Sequence, residues 1–497
     1  MPLTATPALP PSSSFIAGTF EHHLDGEHDE VVLNPATGDE LGTVAGAGRR
    51  GVHAAVSAAR QAADSGVWSD LAPHERSAAL HRFTDVLAAQ ADRILAVVVA
   101  ETGCPVTPSR GHQVGVPLEH LRYWAEVARR PDYAGHPPMA VTRSDGSGSL
   151  GGWTVRREPC GVVAAITPYN FPFLQAVMKI GPALAAGNTL VVKPSQFTPY
   201  STLLIAQAAQ EAELPDGALN VVTGGADVGE QLVGDPRVDV ISFTGSDRVG
   251  ASIAGAASTR FARLILELGG KSAMIVCHDA DLAIAARAGA QSATYHAGQG
   301  CALTTRHLVH RSVYDEYVDL MVSRVAAVQV GDPTNPRTGM GPLIRGSAVD
   351  RVERYVIGAM QRGAKVVHGG CRGVQPRGFF YQPTVLTDVE NHWPVAVEEI
   401  FGPVVVVIAF DDEKQAVALA NDSPYGLAGH VIAGDAARAF GLAARLRAGS
   451  VDINGGPGYT NPAVPFGGYK RSGVGRENGT QGLDEYTQFK TIKYPVG

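Results

Sequence analysis

The chain has 497 residues, of which 45% are hydrophobic and 18% charged, with a formal net charge of −7. This length is too great for one small core and fits two or three domains of ordinary globular composition. The mild negative charge, with no basic block and no aromatic–basic interleaving, excludes a nucleic-acid partner.

The N-terminal "MPLTATPALPPSSSF" lacks the positive start and long apolar core of a secretory signal, and its Pro and Ser content reads as a loosely held lead-in. Residues 52–64, 74–103 and 117–130 carry the apolar spacing of amphipathic helices. From Pro131 to about Gly161 that spacing breaks into two short alternating segments around a Gly/Ser/Asp turn, which predicts a hairpin arm of the kind that serves subunit contacts. A regular alternation follows. "VVAAI" (162–166), "TLVVK" (189–193), "LNVVT" (219–223) and "VDVISF" (238–243) read as buried strands, separated by helices at 173–186, 200–213 and 246–257. A second series opens with "LILEL" (264–268), "AMIV" (273–276) and a helix at 281–296, and continues in apolar runs at 404–410, 429–433 and 450–453. The pattern predicts two α/β domains and a β arm. None of the apolar runs approaches the roughly 20 residues that a membrane helix needs, so no membrane partner is expected.

Cys104, Cys160, Cys277, Cys301 and Cys371 are odd in number and widely separated, which argues against a disulfide framework and for a reducing compartment, the cytoplasm by default. The 16 histidines form no H-E-x-x-H and no zinc-type grouping, so no metal site is expected. Cys301 stands in "GQGCALTTR" (298–306), where no bulky neighbour lies closer than Leu303 and a substrate could reach the thiol. Glu267 ends the apolar run "RLILE" just before two glycines. A carboxylate there suits a general base of raised pKa, and equally a salt-bridged strand end. Asn170, between the prolines of "PYNFP", suits an oxyanion donor or an ordinary turn. "FTGSDRVG" (243–250) is a glycine-flanked strand-to-helix turn that fits a phosphate site or a structural turn. It is neither G-x-G-x-x-G nor a P-loop.

Taken together these segments resemble the aldehyde dehydrogenase superfamily, from about residue 16 to the C-terminus. "PYNFP", "VVKPS", "FTGS", "ELGGKS", "GQGC", "EEIFGPV" and "PFGGYKRSGVGRE" occur in the family's order, and Glu267 and Cys301 stand 34 positions apart as its base and nucleophile do. The resemblance implies an α/β fold with a Rossmann-like NAD(P)-binding domain (1–130 and 160–266), a catalytic domain (267–470) and an oligomerisation arm (131–159 and 480–497). It implies Cys301 as nucleophile, Glu267 as base, Asn170 as oxyanion donor, and Lys179 and Glu477 as a proton path to Glu267. Lys193 would bind the adenosine ribose, with Ser195, Gln196 and Gly225 nearby. Ile166, Thr167 and Pro168 would line the cofactor cleft, and Phe243, Thr244, Gly245, Ser246 and Gly250 would lie near the pyrophosphate. Leu268, Glu399 and Phe401 would face the nicotinamide half.

The implied reaction is NAD(P)-dependent oxidation of an aldehyde through a cysteine thiohemiacetal and thioester, in a homodimer or homotetramer. Gln196 departs from the glutamate that many relatives carry, which leaves NAD favoured with NADP possible. Two rivals are a CoA-acylating semialdehyde dehydrogenase, which Glu267 disfavours, and an idle structural relative, which the intact Cys301, Glu267 and Asn170 disfavour. Phe171 to Met178, Tyr295, His296 and 455–464 are the expected substrate lining. The last segment carries Tyr459 and no arginine, which leans against a carboxylate-bearing substrate.

Overall fold

The computed structural model describes residues 7–21, 29–456 and 460–496. Its first sheet is built on five parallel strands, β1 (Val162–Ile166), β2 (Thr189–Lys193), β3 (Leu219–Val221), β4 (Val240–Thr244) and β5 (Arg263–Glu267). Each is an apolar run because helices cover both faces of the sheet. The order β3-β2-β1-β4-β5 reverses direction between β1 and β4. In a sheet of this type a crevice opens there, beyond the carboxyl ends of the strands.

The crossover helices are α1 (Pro172–Ala185), α2 (Tyr200–Glu211), α3 (Ala226–Gly234) and α4 (Asp247–Ser258). Pro172 starts α1 at the first turn, where its missing N–H costs nothing. The hydroxyl of Ser246 caps α4 by accepting from the Val249 N–H at 3.4 Å. Every residue of α1 is buried, Lys179 included.

Both edges of this sheet are closed by antiparallel strands. Ser14–Ile16 pairs with β3 through Phe15 and Val221. Gly473–Val474 pairs with β5, Glu267 standing opposite Gly473. The chain thus returns to the first sheet after residue 470 and lays the 465–478 segment beside Glu267.

The second sheet has seven strands, in the order Lys365–His368, Thr384–Thr387, Val404–Phe410, Arg306–His310, Ala273–Val276, Ala428–Ile432 and Ser450–Ile453. All pair in parallel except the first. The expected hairpin is Tyr133–Thr142 with Gly148–Pro159, and Thr487–Val496 adds a third strand along the latter. No helix among the described residues is long and apolar enough to cross a membrane.

Two expectations need correction. The N-terminal lead-in is not loose over its later part. Ser13 to Ile16 are buried, and Ser14 Oγ lies 3.1 Å from Thr223 Oγ1, because this segment covers the sheet edge at β3. Residues 1–6 lie outside the described residues. The single helix expected at 74–103 is two, Pro73–Ala89 and Ala91–Thr102, divided at Gln90. Gln90 has left helical geometry (φ −100°, ψ 11°), and nothing in the apolar spacing marks the break.

Candidate active site

The parallel strands deliver their C-terminal residues to the crevice. Ile166 ends β1 and Thr167 and Pro168 follow it, and the Thr167 N–H donates to the Lys193 carbonyl across to β2 at 3.1 Å. The Thr167 hydroxyl is buried with no partner in the protein. Lys193 is buried, its Nζ donating to the Pro194 carbonyl at 3.0 Å, and the Ser195 hydroxyl accepts from the Phe197 N–H at 3.3 Å. Gly225 caps α3 on the side of Gln196, whose Nε2 lies 3.9 Å from where a Gly225 Cβ would stand. After β4, Gly245 donates its N–H to the Glu267 carbonyl at 3.0 Å, and a Cβ on it would strike the Phe243 ring at 2.4 Å. A Cβ on Gly250 would sit 2.7 Å from Leu268 Cδ2, so α4 packs closely on the Leu268 side chain just past β5.

The loop before Cys301 is strained. His296, Ala297 and Gly298 all have positive φ (47°, 52° and 71°), a conformation that costs the two non-glycine residues energy and persists only where surroundings enforce it. The turn also packs tightly on the second sheet's loop, since a Cβ on Gly298 would lie 2.1 Å from the Gly402 carbonyl oxygen. Gln299 locks the turn, donating from Nε2 to the His296 carbonyl at 3.1 Å and accepting the Ile344 N–H at 3.0 Å. Its carbonyl takes the Asn170 amide at 2.8 Å, which ties Asn170 to the backbone two residues before Cys301. Cys301 itself is half-buried, and its carbonyl oxygen lies 3.0 Å from the position of a Gly270 Cβ.

The charges around it share a poorly solvated space. Burial pushes the Cys301 thiol up to about 12, and the negative charges of Glu399 and Glu267 act in the same direction. The Glu267 carboxyl is buried with neither oxygen hydrogen-bonded in the protein, and lies against Gly467. Burial and the nearby Glu477 raise it well above the usual carboxylate range, against the opposing charges of Lys179 and Arg476. Lys179 and Glu477 form a fully buried ion pair at 2.5 Å, and Lys179 also donates to Thr244 Oγ1 at 2.8 Å and Ser242 Oγ at 3.3 Å. Thr244 therefore belongs to this network as well as to the cleft.

Glu399 approaches from the second sheet and accepts the Gly270 N–H at 3.1 Å. Burial raises it to about 7. Phe401, held at φ 54°, sets its ring edge-on to Tyr169 with centroids 5.8 Å apart. The orphan Thr167 hydroxyl, the Glu399 carboxylate and the cleft at Gly225 beside Gln196 all fit a dinucleotide laid across the crevice.

Beyond Asn170, Phe171, Leu174 and Met178 pack with Val116, Tyr295 and Phe466. His112 stands edge-on to Phe171 and Tyr295, at 5.3 and 5.9 Å. Of the expected lining, Phe171, Leu174, Met178, Tyr295 and His296 thus come together, whereas residues 457–459, Tyr459 included, lie outside the described residues. Sequence reasoning missed Val116, His112 and Phe466. Only Phe466 carried a signal, its place in the quoted "PFGG".

The aldehyde dehydrogenase family profile matches residues 23–492. The chain belongs to the aldehyde dehydrogenase family. It is 38% identical over 484 residues to betaine aldehyde dehydrogenase of Bacillus subtilis (strain 168), covering 96% of each chain. It is 40% identical over 462 residues to geranial dehydrogenase of Castellaniella defragrans, covering 93% of this chain and 94% of that one. Among solved structures, the Mycobacterium tuberculosis aldehyde dehydrogenase complexed with NAD+ superposes with a TM-score of 0.91 at 40% identity, covering 99% of each chain. The order of motifs read along this chain is thus that of an aldehyde dehydrogenase over nearly its whole length.

Two variants of this aldehyde dehydrogenase test the geometry. Gly298→Ala should destabilise the fold by about 3 kcal/mol or more, because the new methyl meets backbone rather than a side chain that can turn away. Lys179→Ala strands the buried Glu477 carboxylate and should cost about 3–5 kcal/mol. Denaturant midpoints measure both, and wild-type values for either variant would contradict the packing described.

Proposed function

We propose that this chain oxidises an uncharged, largely apolar aldehyde to the carboxylic acid, with NAD as acceptor. The carrying observation is that Cys301, Glu267 and Glu399 share one buried electrostatic environment at the mouth of the dinucleotide-type sheet, with Asn170 tied to the same loop. The half-buried Cys301 thiol gives its proton to solvent water, and the thiolate sulfur attacks the carbonyl carbon to give a thiohemiacetal. Its oxyanion is stabilised by the second Asn170 amide hydrogen and the Cys301 N–H. Lys193, Glu399 and Phe401 would hold the cofactor. When bound, NAD supplies the hydride acceptor and a positive ring charge beside the thiol. Oxidation of the thiohemiacetal leaves a thioester on Cys301, which water attacks as Glu267 takes its proton. Lys179 and Glu477 give that proton a buried route away.

The proposed substrate class follows from the apolar cluster beside Asn170, where Phe171, Leu174 and Met178 pack with Val116, Tyr295 and Phe466. Burial keeps its two histidines neutral, lowering His112 and bringing His296 to about 4. A cationic or carboxylate-bearing aldehyde would lose hydration there without a counter-charge. The arm exposes Tyr133, Met139, Leu150, Phe489, Ile492 and Tyr494, which suits burial against a second copy in a cytoplasmic homo-oligomer.

The test is rapid-mixing kinetics with a panel of apolar, cationic and anionic aldehydes. Cys301→Ala should lose all turnover while still binding NAD. Glu267→Gln should release one burst of NADH and then stall, because only thioester hydrolysis needs the base. The raised Glu267 carboxyl keeps its proton to higher pH, so the population of free base grows as pH rises. Wild-type turnover should therefore climb from neutral into alkaline pH, and the residual rate of the glutamine variant should not. Substantial turnover by Cys301→Ala, or no burst in Glu267→Gln, would contradict the proposal.

A further inference from the structure

Position 196 is a neutral glutamine, yet the pocket it faces is not neutral. A Cβ on Gly225 would stand 3.0 Å from Glu30 Oε1, 3.1 Å from Asp227 Oδ1 and 3.9 Å from Gln196 Nε2, so two carboxylates and the amide converge on one small space. Asp227 has a local reason to be there, in the first turn of α3, where the helix dipole favours an acid. Glu30 has none. It comes from the Glu30–Leu33 strand, which pairs with Glu40–Val44 outside the main sheet.

Lys193 closes the pocket. Its stem runs along α3, with Cδ 3.6 Å from the position of a Gly229 Cβ. Burial lowers its ammonium to about 8, and Glu30 and then Asp227 act to keep it charged. The pocket thus holds one cation, two anions and one amide.

We propose that Glu30 supplies the carboxylate that Gln196 lacks, accepting the adenosine ribose hydroxyls of NAD and turning NADP away. This rests on the reading of the chain as an NAD-dependent dehydrogenase with Lys193 at the ribose. The physical argument is one of charge. A ribose 2′-phosphate brings about −1.5 to −2 at neutral pH, as other phosphate monoesters do, into a space where Lys193 cannot offset two carboxylates. A ribose hydroxyl, by contrast, donates a hydrogen bond to a carboxylate and gains from its charge. Gln196 alone leaves NADP acceptable; Glu30 and Asp227 reverse that balance.

The experiment measures dissociation constants of NAD and NADP by calorimetry on the full-length enzyme, together with the kcat/KM ratio for the two cofactors. Glu30→Gln should shift both ratios toward NADP by roughly tenfold or more, the expected scale for removing a close charge in a partly buried site. Glu30→Asp keeps the charge and should retain most of the discrimination. Gln196→Glu should change the ratio little, because a carboxylate already occupies the space. Intact NAD binding with an unchanged ratio in Glu30→Gln would overturn the assignment to Glu30 and leave the dehydrogenase reading standing. A large shift toward NAD in Gln196→Glu would overturn it too, by returning discrimination to position 196. Failure of the wild type to bind NAD would instead sink the reading on which the assignment rests.

Discussion

Removing a thiol and two carboxylates from water is the constraint on which this site depends. Cys301, Glu267 and Glu399 each lose hydration, and both carboxylates oppose a negative charge on Cys301. In such a space Cys301 rests as a neutral thiol, and Glu267 holds its proton to higher pH than an ordinary carboxylate does. On the proposed function, a cationic cofactor ring and a polarised carbonyl would favour the charged forms. Glu477 adds to the repulsion on Glu267, and Lys179, paired to Glu477, and Arg476 oppose it.

The fold supplies this environment by bringing distant segments to one edge of one sheet. Strand β5 ends in Glu267, while the returning Gly473–Val474 strand closes the edge beside it and carries Gly467 and Glu477 into place. The thiol comes from the turn that leads into the second sheet, whose backbone is left-handed at His296, Ala297 and Gly298 and packs closely on Gly402 at Gly298. Glu399 and Phe401 lie in the same loop as Gly402. The cysteine turn therefore packs against the loop that carries the residues assigned to the nicotinamide half.

Much of this was legible in the sequence, for a physical reason. Strands β1 to β5 are buried on both faces, so each reads as an unbroken apolar run, and the residues at their ends identify themselves by position: Asn170, Lys193, Gly245 and Glu267. Glycines at close approaches, such as Gly250 and Gly298, sit in recognisable motifs. What escaped was set by contacts distant along the chain. Nothing in the half-polar "EVVL" marks Glu30 as a neighbour of Lys193 and Gln196. The Pro/Ser-rich start read as loose because its one ordered strand has three residues. His112 lies within, and Val116 just after, a π-helical turn, Ser109–Gly115, that no periodicity announces.

The central claim is that burial and neighbouring carboxylates keep Cys301 a neutral thiol at rest. Its most direct test is the alkylation rate of Cys301 as a function of pH in the enzyme free of NAD, with the modified residue located by mass spectrometry. The rate should keep rising beyond pH 9 with no inflection near neutrality. A rate that levels off below pH 7 would mean a resting thiolate, and would contradict this account of the site.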